Sequence, residues 1–338
     1  MNRKTFLKNS AILGAGLGLG GLSPFSQVLG ASQTRITILH TNDTHARIEP
    51  FSDSAPRYAG MGGVARRATL IRKLRAENPD SLLLDAGDVF QGTPYFNKFH
   101  GALDFEVMSK MGYDAVTIGN HEFDNAVRGF EEVMGKARFP FVSTNYDFGT
   151  TRMGLRVHKF LIRQVAGVKI GIFGLGVDFE NLVLPHLHRG VTYLDPVEVA
   201  ADTTAHLKGY HRCDMVICLS HIGYRYNDNR VSDRVVARQV DGIDLIIGGH
   251  THTFMPEPEL FEKPDGGRTW VSQVGFAGIV LGRLDFYFDR GKKIVAVHNH
   301  NYPVTDGEGD SGSYAELISQ ISADNGAGNT AYSTVDSV

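Results

Sequence analysis

Arg35-Ile36-Thr37-Ile38-Leu39-His40-Thr41-Asn42-Asp43-Thr44-His45 decides the fold. Its first part, Arg35–Thr41, alternates with period two, which predicts a β-strand. The strand then runs straight into Asp43 and His45, side chains that bind cations or protons. The same grammar recurs along the chain. Ser81–Asp85, a short run built on Leu, leads to Gly87-Asp88. Ala115–Ile118 leads to Gly119-Asn120-His121-Glu122-Phe123-Asp124. Met215–Ser220 leads to His221, and Ile243–Gly248 leads to Gly249-His250-Thr251-His252. Helical patterns lie between these strands: Val64–Glu77, ended by Asn78-Pro79; Ala102–Met111, stopped at Gly112; then Asn125–Ala137, Pro196–Tyr210 and Val231–Gln239. Strand and helix in alternation imply parallel strands. Phe141–Thr144 reads as a strand. Val157–Val165 and Val168–Gly174 read as a hairpin about Ala166-Gly167. Trp270–Gln273, Ile279–Asp289 and Lys292–His300 complete an antiparallel back. No internal repeat is visible.

In a sheet of this kind, ligands bind beyond the carboxyl ends of the strands. Five strands delivering Asp, His or Asn there point to one shared site. In an extended segment residues i and i+2 face the same way, so Asp43 and His45 can grip one ion together. His250 and His252 can likewise reach two ions roughly 3.5–4 Å apart, the spacing of two-metal sites. Asp88, with two carboxylate oxygens, is the natural bridge. Gly87, Gly119, Gly248 and Gly249 let the backbone turn beside the ligands. Mixed imidazole and carboxylate donors favour zinc, manganese or iron over calcium. Asp124 follows His121 by one helical turn, close enough to hold its imidazole. Each motif alone reads as a turn, a helix cap or surface decoration; the set at equivalent strand ends does not.

Composition sets the frame. The chain has 338 residues, 42% hydrophobic and 21% charged, which excludes a disordered or fibrous chain. The 34 basic residues against 37 acidic give no cationic excess, so no nucleic-acid partner is expected. Cys213 and Cys218, in a run that reads as one strand, are expected as free thiols on opposite faces of it. Residues 1–31 carry Arg3, Lys4 and Lys8 ahead of an uncharged Gly- and Leu-rich stretch, which fits an export signal cleaved near Gly30 or Ala31. Its Arg3-Lys4-x-Phe6-Leu7-Lys8 is a twin-arginine-like pattern with Lys in the second position. A periplasmic or extracellular location follows, with no stable membrane insertion. Residues 35–304 are expected to form one catalytic domain, and 305–338 a weakly ordered tail. Five of the 14 histidines belong to the candidate site; His186, His188, His298 and His300 read as ordinary, and His40 as packed behind the first ligand.

Together Asp43-x-His45, Gly87-Asp88, Gly119-Asn120-His121-Glu122, His221 and Gly249-His250-x-His252 closely resemble the calcineurin-like metallophosphoesterases. Leu39-His40-Thr41-Asn42-Asp43-Thr44-His45, Gln91-Gly92-Thr93, Gly112-Tyr113-Asp114-Ala115 and Ser220-His221-Ile222-Gly223 resemble the branch of 5′-nucleotidases and UDP-sugar hydrolases. The resemblance runs from about Arg35 to Val304. It implies an α/β fold, two stacked mixed β-sheets flanked by helices in a single domain. It also implies two divalent metal ions, zinc or manganese. One takes Asp43, His45, Asp88 and His252; the other takes Asp88, Asn120, His221 and His250. Asn120, His121 and Asp124 would carry catalysis, with His121 on the substrate phosphate and Asp124 orienting it. Hydroxide from a metal-bound water would attack phosphorus in a phosphate ester, a nucleoside 5′-monophosphate or related nucleotide. A cyclic-nucleotide or sugar-nucleotide phosphodiesterase is the nearest alternative. A non-catalytic subunit of a split 5′-nucleotidase is the alternative from another class. The branch usually carries a C-terminal substrate domain, expected absent here. A separate chain supplying it, a broad substrate range, or cover from the loop Glu49–Met61 with Phe51 and Tyr58 are three ways to complete specificity.

Overall fold

The computed structural model describes residues 33–149, 151–264 and 266–307. The expected export signal, and the tail beyond residue 307, lie outside the described residues. The chain begins with β1 (Thr34–Thr41), α1 (Val64–Glu77), β2 (Ser81–Asp85), α2 (Pro94–Phe99), α3 (Ala102–Met111), β3 (Ala115–Thr117) and α4 (Ala126–Val133). It continues through β4 (Phe141–Val142), β5 (Tyr146–Asp147), β6 (Val157–His158), β7 (Phe160–Val165), β8 (Val168–Gly176) and β9 (Thr192–Tyr193). Then come α5 (Pro196–Gly209), β10 (Met215–His221), α6 (Asp233–Gln239), β11 (Leu245–Gly248), β12 (Glu259–Glu262), β13 (Arg268–Ser272), β14 (Val280–Phe288) and β15 (Ile294–Pro303).

Two mixed sheets form the frame. The first has seven strands in the order β15-β14-β1-β2-β3-β4-β6, and the second six in the order β12-β13-β11-β10-β8-β7. β1 through β4 and β6 run parallel, as do β8, β10, β11 and β13; in the first sheet the antiparallel β14 is inserted between β1 and the edge strand β15, and in the second the antiparallel β12 and β7 form the edges. A two-stranded ribbon, β5-β9, forms a third small sheet whose Tyr146 and Tyr193 pack into the outer core of the first.

Side-chain alternation decides the layering. On β1, Ile36 and Ile38 join the core between the sheets, whereas Leu39 points outward. On β2, Leu82 and Leu84 face inward and Leu83 outward; on β10, Ile217 and Leu219 face inward and Val216 and Cys218 outward. The outer face of the first sheet is covered by Ile71 and Leu74 of α1, Phe105 and Met108 of α3 and Phe130 of α4. The outer face of the second is covered by Ala200 and Leu207 of α5 and Val236 and Ala237 of α6. Strands buried on both faces read as unbroken apolar runs, which is why β2 and β10 look as they do in sequence. Each fully buried Leu or Ile contributes about 1.5–3 kcal/mol relative to an exposed one.

The run Val157–Val165 is not one strand of a hairpin. Val157–His158 pairs with β4 in the first sheet, and Phe160–Val165 pairs with β8 in the second. The turn at Ala166-Gly167 is present, both residues having positive φ (47° and 81°). Asn125–Ala137 shortens to α4 followed by a 3-10 turn at Met134–Lys136. Both cysteines are free and buried, yet Cys213 precedes β10 and packs in the same outer core as Cys218. The expected opposite faces therefore do not occur. Among the described residues no helix is long and apolar enough to cross a membrane.

Candidate metal centre

The carboxyl ends of β1, β2, β3, β10 and β11 meet where the two sheets pack. The loops there bring Asp43, His45, Asp88, His121, His221, His250 and His252 into three overlapping clusters of potential ligands: Asp43, His45 and His252; His45, Asp88 and His121; Asp88, His221 and His250. Asp43 thus lies with His45 and His252, and Asp88 with His221 and His250.

The backbone route differs from the expected one. The ligands are not extended: Asp43, His45, Asp88, His250 and His252 all have positive φ, between 48° and 68°. Asp43 and His45 come together through tight left-handed turns rather than through i, i+2 alternation along a strand. Asp and His are among the side chains that tolerate this backbone best. The residue types that bind cations are thus also the types that these turns accept. At Gly119 even a Cβ would collide with Asp88 Oδ1 and come within 2.8 Å of His221 Nε2.

Short contacts fix the donors. His45 Nε2 lies 2.9 Å from His252 Nε2, and His252 Nε2 lies 3.3 Å from Asp43 Oδ1. The far nitrogen of His45 meets the carbonyl oxygen of Phe90 at 3.0 Å, and that of His221 meets the carbonyl oxygen of Ala86 at 2.7 Å. Asp43 accepts the backbone N–H of His250 at 3.0 Å, and Asp88 accepts that of His121 at 2.9 Å. His221 Nε2 approaches Asp88 Oδ2 to 2.9 Å, but without hydrogen-bond geometry. It and Asn120 Oδ1 are buried atoms without a hydrogen-bond partner. A buried orphan of either kind is costly unless something else satisfies it. An imidazole nitrogen and an amide oxygen left without partners beside two carboxylates can both be satisfied by a divalent cation, so the residues fit a dinuclear metal site.

The electrostatics agree. Burial, with the neighbouring imidazoles adding to it, lowers the pKa of His45 and of His250 to about 4 despite the nearby carboxylates, so both are neutral with a free lone pair at neutral pH. Burial would also lower His221, but Asp88 and Asp43 overcome it and raise the pKa to about 10; the pocket favours positive charge at that point. Burial would raise Asp88 and Asp43, yet the imidazoles hold both below the ordinary carboxylate range. His121 stands on the rim, its side chain 33% exposed, with Nδ1 2.8 Å from Asp124 Oδ2. Burial opposes its charge, but Asp88 and the Asp124 hydrogen bond raise its pKa to about 9.

Three supporting residues carry no ligand atom and were not assigned roles from sequence. Glu122 is buried, and its carboxylate accepts four backbone N–H groups: Asp88 at 3.0 Å, Val89 at 2.7 Å, Phe90 at 3.3 Å and Gly119 at 2.6 Å. It ties the β2 loop to the β3 loop. Burial and Asp88 raise its pKa to about 7 against that pull. Asn42 donates to Asp43 Oδ2 at 2.6 Å and to the carbonyl of Gly275 at 2.5 Å, and accepts from Val274 N at 3.0 Å. Gln273 donates to the carbonyl of Gly249 at 2.5 Å and accepts from Thr253 N, clasping the loop that carries His250 and His252. Glu122 was visible only as a letter in Gly119-Asn120-His121-Glu122; nothing in the pattern announces Gln273. The loop Glu49–Met61 packs Phe51 and Tyr58 against Phe254 and Phe276.

Comparisons place this arrangement among known proteins. The family model for calcineurin-like phosphoesterase matches residues 36–254. The chain is 33% identical to a trifunctional nucleotide phosphoesterase of Bacillus subtilis (strain 168), over 80% of this chain and 19% of that protein. It is 31% identical to the 5′-nucleotidase of Homo sapiens, over 80% of this chain and 49% of that one. The crystal structure of a 5′-nucleotidase precursor from Thermus thermophilus superposes with a TM-score of 0.73 at 31% identity, covering 86% of this chain and 59% of that one. The chain thus spans half or less of the length of these two curated relatives.

Proposed function

The chain belongs to the calcineurin-like phosphoesterases, and on that premise we propose that it hydrolyses phosphate esters with two divalent cations, nucleoside 5′-monophosphates being the favoured substrates. The observation that carries this reading is the convergence of Asp43, Asp88, the unpartnered Asn120 Oδ1 and the four imidazoles of His45, His221, His250 and His252 beside the His121–Asp124 pair. In this reading Asp43, His45, Asp88 and His252 would hold one cation, and Asp88, Asn120, His221 and His250 the other. Zinc or manganese suits these mixed donors. When bound, the cations supply charge that acidifies a water and polarises the phosphoryl oxygens.

The chain's own groups do the rest. Asp88 carries negative charge to both positions. His121 donates Nδ1–H to Asp124, which fixes the ring and turns its other N–H toward the substrate. Protonated at neutral pH, it stabilises charge on the phosphoryl group and gives its proton to the leaving oxygen as the P–O bond breaks. Water attacks opposite that oxygen, so no residue becomes phosphorylated.

Elemental analysis and a substrate panel test the proposal. Purified chain with Mn2+ or Zn2+ is offered AMP, 2′,3′-cyclic AMP and UDP-glucose, and phosphate release from AMP should be fastest. Faster cleavage of a diester would favour the phosphodiesterase reading, which the description of the Bacillus relative as a nucleotide phosphoesterase keeps in view. Bound metal with no turnover of any ester would leave the non-catalytic subunit. A separate chain that selects the substrate is the finer partner reading; it predicts that this chain alone turns over AMP and glycerol phosphate alike. Export, which rests on the charge and apolar pattern of residues 1–31, is tested by cell fractionation.

A further inference from the structure

Phe276 lies flat against the imidazole of His252, with ring centroids 5.0 Å apart and planes 9° from parallel. It belongs to none of the strands that carry ligands; it sits in the turn between β13 and β14. His45 and His221 are each oriented through their far nitrogen by a backbone carbonyl. Among the described residues His252 makes no such bond, and its side chain is 22% exposed where that of His221 is fully buried. Stacking is what fixes its ring.

The turn is built to hold Phe276 there. Gly275, Ala277 and Gly278 all have positive φ, 75°, 56° and 59°. Ala277 N donates to the carbonyl oxygen of Asp43 at 2.7 Å, and Gly275 N donates to that of Thr253 at 3.0 Å, so the turn grips the residues on both sides of the cluster. Tyr58, Phe254 and Phe51 meet the Phe276 ring edge-on, with centroids 5.5, 6.2 and 6.5 Å away, and keep it from rotating off the imidazole. Edge-to-face and stacked pairs are the favoured aromatic geometries.

We propose that Phe276 is a positioning residue for His252: its flat face holds the imidazole with Nε2 directed at Asp43 and His45, and so sets the affinity for the cation these three share. The proposal rests on the reading of the site as a two-cation centre. The partners that orient a metal ligand are commonly worth about 10–100-fold in affinity, and a stack should fall at the low end. Calorimetric titration of Mn2+ into the metal-free chain tests it, with the melting temperature of each variant measured in parallel. Phe276→Leu and Phe276→Met keep apolar bulk but lose the flat face; each should bind one of two Mn2+ roughly 10-fold more weakly while melting like the parent. Phe276→Tyr should bind both as the parent does. Parental affinity in the Leu or Met variant would overturn the proposal, as would weakened binding in the Tyr variant. A parent chain that binds no Mn2+ would overturn the two-cation reading itself, and this proposal with it.

Discussion

The two sheets bring different chemistry to one place. The first delivers the oxygen donors: Asp43, Asp88 and Asn120 follow β1, β2 and β3. The second delivers imidazoles only: His221 ends β10, and His250 and His252 follow β11. His45 crosses the divide, leaving the first sheet to meet His252 of the second at 2.9 Å. Neither sheet alone holds a complete ligand set. The centre is therefore a property of the packing between sheets, whose core runs through Ile36, Ile38, Leu82, Leu84, Ile217, Leu219, Leu245 and Ile247. Burial between the sheets removes water from the donors, and the donors then make a pocket that neither surface could make in water.

Asp88 is where the division is most easily broken, because its carboxylate touches His121 on one side and His221 on the other. Asp88→Asn keeps the shape and suits the left-handed backbone. It should nonetheless cost both cations and on the order of a thousandfold or more in turnover, beyond the 10–100-fold usual for an outer-shell partner; elemental analysis with steady-state kinetics measures both. Removing His121 separates catalysis from cation binding. His121→Ala should lower kcat by roughly 10²–10⁴-fold, the range for a general acid, with the metal content unchanged. Near-normal turnover in that variant would remove His121 from the mechanism.

Glu122 sharpens the contrast within the first sheet. Each of its oxygens accepts two backbone N–H groups, so in Glu122→Gln, whichever way the amide sits, two of the four lose their acceptor. Cation affinity should fall about 10–100-fold, with a lower melting temperature, while kcat at saturating metal changes less. Unaltered affinity in this variant would mean that the two loops hold their shape without it.

His40 probes the seam between the sheets away from the ligands. It is fully buried on β1, 3.3 Å from Ser272 Oγ of the second sheet, and burial lowers its pKa to about 3. The sign follows from proton binding. Between about pH 6.5 and 3 the unfolded chain binds a proton that the folded chain excludes, so stability falls as the pH drops through that window. His40→Gln should flatten that part of the acid dependence, by on the order of 2 kcal/mol between pH 6.5 and 4.5. Thermal melts of both proteins across this range are the check, and parallel profiles would mean that His40 titrates normally.

How much of this was legible in the sequence depends on what period two can say. It marks Arg35–Thr41 as a strand whose alternate residues share a face, and Ile36 and Ile38 do lie on one side of β1 with Leu39 on the other; in the unbroken apolar runs of β2 and β10 it is silent about faces. It does not tell which sheet a strand joins. Hence Val157–Val165 reads as one strand, although Val157 and Phe160 end in different sheets. Short elements such as α2 and β12 carry too few residues for a period to show. Strand-end chemistry was legible because Asp, His and Asn beside glycine are conspicuous after apolar runs. Glu122, Gln273 and Phe276 were not, because what they do depends on backbone groups and rings brought near only by tertiary folding.

The left-handed turns at Asp43, His45, Asp88, His250 and His252 have a thermodynamic reach beyond the site. Residues held in that region outside glycine cost of order 1–3 kcal/mol each. The burden is carried by the polypeptide and offset by whatever binds the turns in that shape. Loading and folding then draw on one linked equilibrium, in which added cation raises resistance to heat with its concentration. A chelator would act on this protein as a mild denaturant, and the supply of metal where it folds would set how much of it survives.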